Sequence, residues 1–117
     1  MKDRALLLAM LTAVFLCSAP LSAADHAGGQ VILGKGTNLA HWLSQTRREG
    51  EERRNYIIEK DIAYIAELGF DHVRMPVDEM QMWDEQGKRD GDAFETLNDA
   101  IRWSLANNLM VVVDLHI

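Results

Sequence analysis

The chain has 117 residues, with 18 acidic against 12 basic side chains and a formal net charge of −6. An acidic surface lacks the basic footprint that nucleic-acid phosphates require, so we expect no nucleic-acid partner. Cys17 is the single cysteine, which excludes an intrachain disulfide. The fold must therefore be held together by its apolar core rather than by covalent links.

The first 24 residues have the layout of a secretory signal peptide. Residues 2–4 are charged, residues 5–16 are mostly apolar, and residues 18–24 are mostly small. The apolar run is shorter than the ~20 residues that a membrane-spanning helix needs. We therefore predict cleavage after Ala24, a secreted or periplasmic protein and no stable membrane anchor. A retained anchor is the alternative.

The segment that follows predicts a strand, a polar connection and a helix. Residues 31–39 begin with three apolar residues and continue with glycines, which indicates a short strand region. Residues 44–55 carry nearly cancelling charges and predict a solvated loop or a frayed helix. An apolar face at helical spacing follows, formed by Ile58, Ile62, Ile65 and Leu68. Gly69 lies where a left-handed C-terminal cap is expected.

Two further strands and one helix are predicted beyond Gly69. Residues 71–76 predict a strand that ends at Pro76, and residues 78–92 a polar loop. Asp92 and Glu95 have the spacing of a capping box before an amphipathic helix, which the asparagines at 107–108 can end. Residues 110–116 predict a third strand. Its nearly continuous apolar start is typical of parallel strands covered on both faces.

The order strand, helix, strand, helix, strand indicates an α/β fold with parallel strands. Such strands form either a doubly wound sheet or a barrel. The first strand is not followed by the G-x-G-x-x-G turn of dinucleotide-binding sheets, and the long first connection suits a loop at a barrel mouth. A complete barrel needs ~250 residues. We therefore expect residues 25–117 to be the N-terminal part of a (β/α)8 TIM barrel, a fragment with strands 1–3 of 8.

Arg74 and His116 are the strongest candidates for chemistry. Side chains alternate along a strand, so Arg74 shares a face with His72, and His116 shares a face with Asp114. We expect Arg74 and His116 to lie near the carboxyl ends of neighbouring strands, where barrel enzymes place their active sites. Arg74 could orient a catalytic carboxylate or only form a salt bridge to Asp114. His116 could bind substrate or be a satisfied core histidine.

Asn38, His41 and Trp42 lie at the end of the first strand region, and we assign them to substrate binding. Trp42 could stack on a sugar face or plug the end of the barrel, whereas His72 lies deeper and is expected to be structural. The histidines and the acidic residues 84–92 lack the spacing of zinc or calcium sites. No metal and no cofactor is expected.

Three segments carry a resemblance to a known family. They are GTNLAHWLSQ, DIAYIAELGFDHVRMPVDEMQMWDE and AIRWSLANNLMVVVDLHI. Together they resemble the first three βα units of glycoside hydrolase family 5, the cellulase-type enzymes, over residues 31–117. The chain departs from many members at residues 40–41, Ala-His, where Gly-Asn is common.

The resemblance implies a retaining glycoside hydrolase that cleaves O-glycosidic bonds in β-linked polysaccharide, with endoglucanase or mannanase character. It implies that Arg74 supports the nucleophile and that His116 lines the subsite where the bond is cleaved. The two catalytic glutamates of the family belong to the fourth and seventh strands, beyond Ile117, so the chain alone is expected to be inactive. Two alternatives stay open, a truncated non-catalytic product and a small secreted carbohydrate-binding domain that uses Trp42 and Trp83.

Overall fold

The computed structural model describes residues 31–116 and shows a parallel three-stranded sheet with the strand order β1-β2-β3. The elements are β1 (Gly36–Asn38), α1 (Gly50–Tyr56), α2 (Glu59–Glu67), β2 (His72–Asp78), α3 (Glu79–Met82), α4 (Gly91–Ala106) and β3 (Met110–His116). The three strands and the two longer helices follow in the predicted order, and the structure adds two short helices, α1 in the polar connection and α3 in the segment predicted as a polar loop. The predicted signal peptide lies outside the described residues. Among the helices of residues 31–116, none is long and apolar enough to cross a bilayer.

The first strand is shorter than the sequence predicts. Only residues 36–38 form β1, where Gly36, Thr37 and Asn38 pair in register with His72, Val73 and Arg74. The apolar residues before it lie outside the strand, with 70% of Val31 and 76% of Ile32 exposed. An apolar run alone does not form a strand where no partner strand covers it.

The polar connection contains a two-turn helix, α1, with one buried cation. The expectation of a fully solvated segment is wrong at Arg53, which is 2% exposed. Its guanidinium donates to Asp90 (3.2 Å), Asp92 (3.3 Å) and Gln81 Oε1 (3.2 Å). A buried guanidinium requires such partners, and they tie α1 to α3 and α4.

Helix α2 buries the middle of its predicted apolar face. Ile62 is fully buried, whereas 42% of Ile58 and 49% of Leu68 remain exposed because both lie at the helix ends. Asp61 accepts a hydrogen bond from the Ile58 backbone N–H (3.0 Å) and so caps the first turn. Gly69 has φ +77° directly after the helix, which confirms the predicted left-handed cap.

Strand β2 continues through Pro76 to Asp78, so the predicted end at the proline is wrong. The Asp78 N–H donates to the Leu43 carbonyl on the β1 side of the sheet (2.9 Å). Backbone N–H groups two residues apart point to the same side, so the proline ring also faces β1. Because β1 ends at Asn38, opposite Arg74, no ladder hydrogen bond is lost at Pro76.

Helix α4 begins two residues earlier than the capping-box spacing predicts. Asp90, rather than Asp92, caps the helix, and its Oδ1 accepts from the backbone N–H groups of Asp92 (3.0 Å) and Ala93 (3.1 Å). Asn108 has φ +59° just beyond the helix, which confirms the predicted end. The side chain of Asp92 instead faces the arginines of α1.

The apolar core lies between one face of the sheet and the helices. Val73, Met75 and Val77 of β2 are buried there together with residues of α2, α4 and the β1–α1 connection, among them Ile62, Ala93, Leu97, Ala100, Leu39 and Leu43. The same face of β3 is only partly covered by residues 31–116, since 47% of Val113 and 57% of Leu115 are exposed. The prediction that β3 is covered on both faces is therefore not met within this segment.

Candidate functional site

The polar candidates lie on the sheet face opposite the helices, here called the inner face. Val73, Met75 and Val77 point into the helix layer, so Arg74 between them points to the inner face. The register pairs Arg74 with Asn38 on one side and with Val112 on the other. Asn38, Arg74, Asp114 and His116 therefore share this face.

Arg74 joins the three strands through its guanidinium. Nη1 donates to Asn38 Oδ1 (2.8 Å), and Nη2 donates to Asp114 Oδ2. His116 Nδ1 lies 3.7 Å from the same carboxylate oxygen. About two fifths of each side chain is exposed, at 40% for Arg74, 37% for Asp114 and 40% for His116. The Arg74–Asp114 salt bridge, one of the two alternatives for Arg74, is thus present, and Asp114 lies between the two predicted site residues.

Arg74 is not at the end of its strand. Its register partner on β3 is Val112. Val112 precedes His116 by four residues, so the two levels are separated by roughly 13 Å along the strand. The expectation that both residues lie near the carboxyl ends is correct for His116 and wrong for Arg74, because β2 extends beyond Pro76. Asp78 is the register partner of His116 and occupies the corresponding end of β2.

Asp78, Gln45 and His116 form a contact set at the carboxyl edge, here called the rim cluster. Asp78 Oδ2 accepts from the Gln45 backbone N–H (2.6 Å), and Gln45 Nε2 donates to His116 Nε2 (3.1 Å). These residues line a cleft of about 330 Å³ together with Glu79 and Met80. Asp78 Oδ1 is buried and has no hydrogen-bond partner within the described residues.

The sequence prediction missed Gln45 and Asp78. Asp78 has the same parity as Arg74 along the strand, a signal hidden by the expected end at Pro76. Gln45 has no such signal, because it lies in an irregular connection and reaches His116 across 71 residues of sequence.

Trp42 does not offer a face for a sugar ring. It is 1% exposed, and its Nε1 donates to the Arg53 carbonyl (2.7 Å) inside the core. The assignment of Trp42 to substrate binding is therefore corrected, because its ring is buried in the apolar core. His41 is exposed, with φ +56°, and its Nδ1 donates to the Gln45 carbonyl (3.4 Å).

His72 lies at the amino end of β2, at the opposite end of the sheet from the rim cluster. Its Nδ1 donates to Asp71 Oδ1 (2.6 Å), and its ring lies against Gly36, where an added Cβ would be 2.0 Å from Nε2. The hydrogen bond from His72, aided by the backbone N–H groups of Lys35 and Gly34, lowers the pKa of Asp71. These contacts agree with the structural role expected for His72.

A sequence model of the family described as cellulase (glycosyl hydrolase family 5) matches residues 27–117. The chain belongs to glycosyl hydrolase family 5. The match includes all three strands and the inner-face residues. The sheet described above is thus a partial (β/α)8 barrel of this family, and the inner face is the face that lines the barrel.

Two characterised enzymes are similar to the chain. It is 35% identical over 82 residues to Cellodextrinase A of Ruminococcus flavefaciens, a match that covers 70% of this chain and 24% of the relative. It is 38% identical over 84 residues to Endoglucanase C of Acetivibrio thermocellus, covering 69% of this chain and 24% of the relative. The chain therefore spans about a quarter of the length of these two relatives.

A solved family 5 structure has the same fold. Cel5A of Thermotoga maritima, described in complex with mannotriose substrate, superposes with a TM-score of 0.59 at 28% identity. The superposition covers 73% of this chain and 28% of Cel5A.

Trp83 and the acidic loop lie beside the rim cluster. Trp83 is half-buried and packs edge-on against Phe94, with ring centroids 5.2 Å apart. It lines a wide cleft of about 870 Å³ with Met80, Leu115 and three acidic residues, Glu79, Asp84 and Glu85. Within residues 31–116, no group of three His, Cys, Asp or Glu side chains is arranged to hold a metal ion.

Proposed function

We propose that this segment provides the first three βα units of a retaining glycoside hydrolase that acts on β-linked glucan. The observation that carries the proposal is the joint position of Arg74, Asp114 and His116 on the inner face of a family 5 barrel sheet. A polar, half-exposed array on a helix-free face is what a substrate channel requires and what a sealed core would avoid. The endoglucanase and cellodextrinase relatives support β-glucan as the substrate class.

The proposed chemistry assigns no bond-breaking step to the described residues. Retaining hydrolysis uses two carboxyl groups about 5–5.5 Å apart, one as acid and base, the other as nucleophile. We propose that glutamates of later strands supply both. Arg74, held by Asn38 and Asp114, would direct an N–H group at the nucleophile and keep it ionised. His116 would hydrogen-bond the substrate at the barrel mouth.

The test is hydrolysis by the product of the complete gene. We expect reducing ends to be released from cellotetraose or carboxymethylcellulose, with β-mannan as a second substrate. The anomeric configuration, followed by ¹H NMR, should be retained in the first product. Absence of hydrolysis on every β-linked glucan and mannan would refute the substrate class, and inversion would refute the mechanism.

The role of Arg74 is tested with a matched pair of arginines. Arg74→Ala should lower kcat by about 100-fold or more, as expected for loss of a charge-assisted donor at the reacting centre. Arg102→Ala is the control, because the Arg102 side chain is 70% exposed and pairs only with Asp99 among the described residues. Equal rates for the two variants would show that Arg74 acts only through the salt bridge that links β2 and β3.

We also propose that the protein is exported, with residues 1–24 removed. Expression in a bacterial host followed by N-terminal sequencing of the extracytoplasmic fraction should return Asp25 as the first residue. An intact Met1 in a membrane fraction would support the retained anchor instead.

A further inference from the structure

We infer that Gln45 is a positioning residue that selects one tautomer of His116 and that Asp78 holds Gln45 in place. The inference concerns three residues of the rim cluster that pattern and spacing did not connect. Its structural part stands on the described contacts, and its kinetic part rests on the proposed function.

The backbone at Gln45 is in a conformation that needs a reason. Gln45 has φ +54°, in the left-handed region that costs a non-glycine residue about 1 kcal/mol or more. Three contacts hold it there. Asp78 Oδ2 accepts its N–H (2.6 Å), His41 Nδ1 donates to its carbonyl (3.4 Å), and the preceding Leu43 carbonyl accepts from the Asp78 N–H (2.9 Å). Strain that is fixed from both sides is typical of functional positions.

The left-handed backbone places the Gln45 amide against the imidazole. Gln45 Nε2 lies 3.1 Å from His116 Nε2. With the amide in this orientation its nitrogen faces the ring and can only donate, so His116 Nε2 is the acceptor and does not carry the ring proton. The neutral ring then has its proton on Nδ1, which faces Asp114 Oδ2 at 3.7 Å. That carboxylate is bound to Arg74, so this tautomer directs the Nδ1 proton toward an anionic group that lies just beyond hydrogen-bond distance.

Asp78 holds Gln45 through its backbone, so the choice of a glutamine side chain at position 45 needs a separate reason. Asp78 uses one oxygen on the Gln45 backbone, and its other oxygen is buried. A glycine at position 45 would adopt the same φ without strain but would leave His116 Nε2 without a donor. The side chain, not the backbone, therefore accounts for a strained residue here.

The experiment measures the tautomer directly in the product of the complete gene. With ¹⁵N-labelled histidine at a pH where His116 is neutral, long-range ¹H–¹⁵N correlation should show a protonated Nδ1 and an unprotonated Nε2. His116→Gln identifies the signal by its loss. Gln45→Gly and Gln45→Asn both accept the left-handed backbone, yet neither reaches the imidazole, so each should produce mixed tautomers.

The same variants should lower kcat/KM on cellotetraose by about three- to tenfold, the effect of one lost neutral hydrogen bond. Gln86→Asn, which shortens an exposed glutamine, is the matched control and should change neither reading. A protonated Nε2 in the parent protein, or a Gln45→Gly variant with unchanged tautomer, would overturn the inference. If the parent is inactive on all glucans, the proposed function fails, while the tautomer comparison still decides the inference.

Discussion

Arg53 provides a quantitative test of the packing, because it is a buried cation in a segment whose sequence favours solvent. Its Nε donates to the Arg48 carbonyl (3.0 Å), and its terminal nitrogens donate to Gln81, Asp90 and Asp92. Arg53→Met keeps much of the side-chain volume but removes every one of these donors. The variant therefore isolates the polar part of the contact.

The expected loss of stability is about 3 kcal/mol. The Arg48 carbonyl and the Gln81 amide oxygen would each lose a donor, at roughly 1–3 kcal/mol for a buried group. The carboxylates contribute less, because 39% of Asp90 and 25% of Asp92 are exposed and water can replace the guanidinium. The total lies at the lower end of the ~3–5 kcal/mol typical of a broken buried ion pair.

The assay is urea unfolding of the complete-gene product, with Arg54→Met as the control. Arg54 is the next residue on the same helix and also pairs with Asp92, but 51% of its side chain is exposed. Its loss should cost less than about 1 kcal/mol, and both variants should keep the same m-value. Equal losses for the two arginines would show that the burial of Arg53 does not determine its contribution.

Three further predictions concern the amino end of the sheet and the buried Trp42. Gly36→Ala should destabilise the fold by about 1–3 kcal/mol, since the new Cβ would displace His72 from Asp71; an unchanged urea midpoint would contradict this. Asp71 has a lowered pKa in the fold, so its contribution is complete above the ordinary value of 3.8 and is lost as the pH falls through the lower folded value. In Asp71→Asn the urea midpoint should therefore fall less steeply than in the parent as the pH is lowered from about 5 to about 3. A midpoint that falls as steeply as the parent's would count against the assignment. Trp42→Phe should lower the free energy of unfolding by about 2 kcal/mol, because the hydrogen bond to the Arg53 carbonyl and part of the side-chain volume are lost, and it should leave KM for cellotetraose unchanged. A raised KM with unchanged stability would indicate that Trp42 contacts the sugar.

The sequence was sufficient to predict the parallel strands and the face that carries the polar residues. Alternation along a strand places Arg74 and His116 by parity alone, and this rule holds wherever a strand is regular. The left-handed residues after α2 and α4 were also predictable, because Gly69 and Asn108 tolerate that conformation locally. These features depend only on neighbours in sequence.

The rim cluster and the buried arginine could not be predicted in the same way. A proline usually marks the end of a strand. Strand β2 continues through Pro76 because the proline ring faces a position beyond the end of β1, where no ladder hydrogen bond is needed. Arg53 resembles its exposed neighbours in sequence and differs from them only through partners 28 to 39 residues away. Gln45 depends on a conformation that propensity disfavours and tertiary contacts enforce. Long-range contacts decided each of these cases.

The position of His72 against Gly36 has a consequence for engineering of this barrel. The contacts among Gly36, His72 and Asp71 lie at the amino ends of β1 and β2, whereas Gln45 and His116 lie at the carboxyl end of the sheet. In barrel enzymes the active site commonly lies at the carboxyl ends of the strands, and residues at the amino ends serve stability. Heat tolerance and substrate preference should thus be adjustable independently, by substitutions at opposite ends of the sheet.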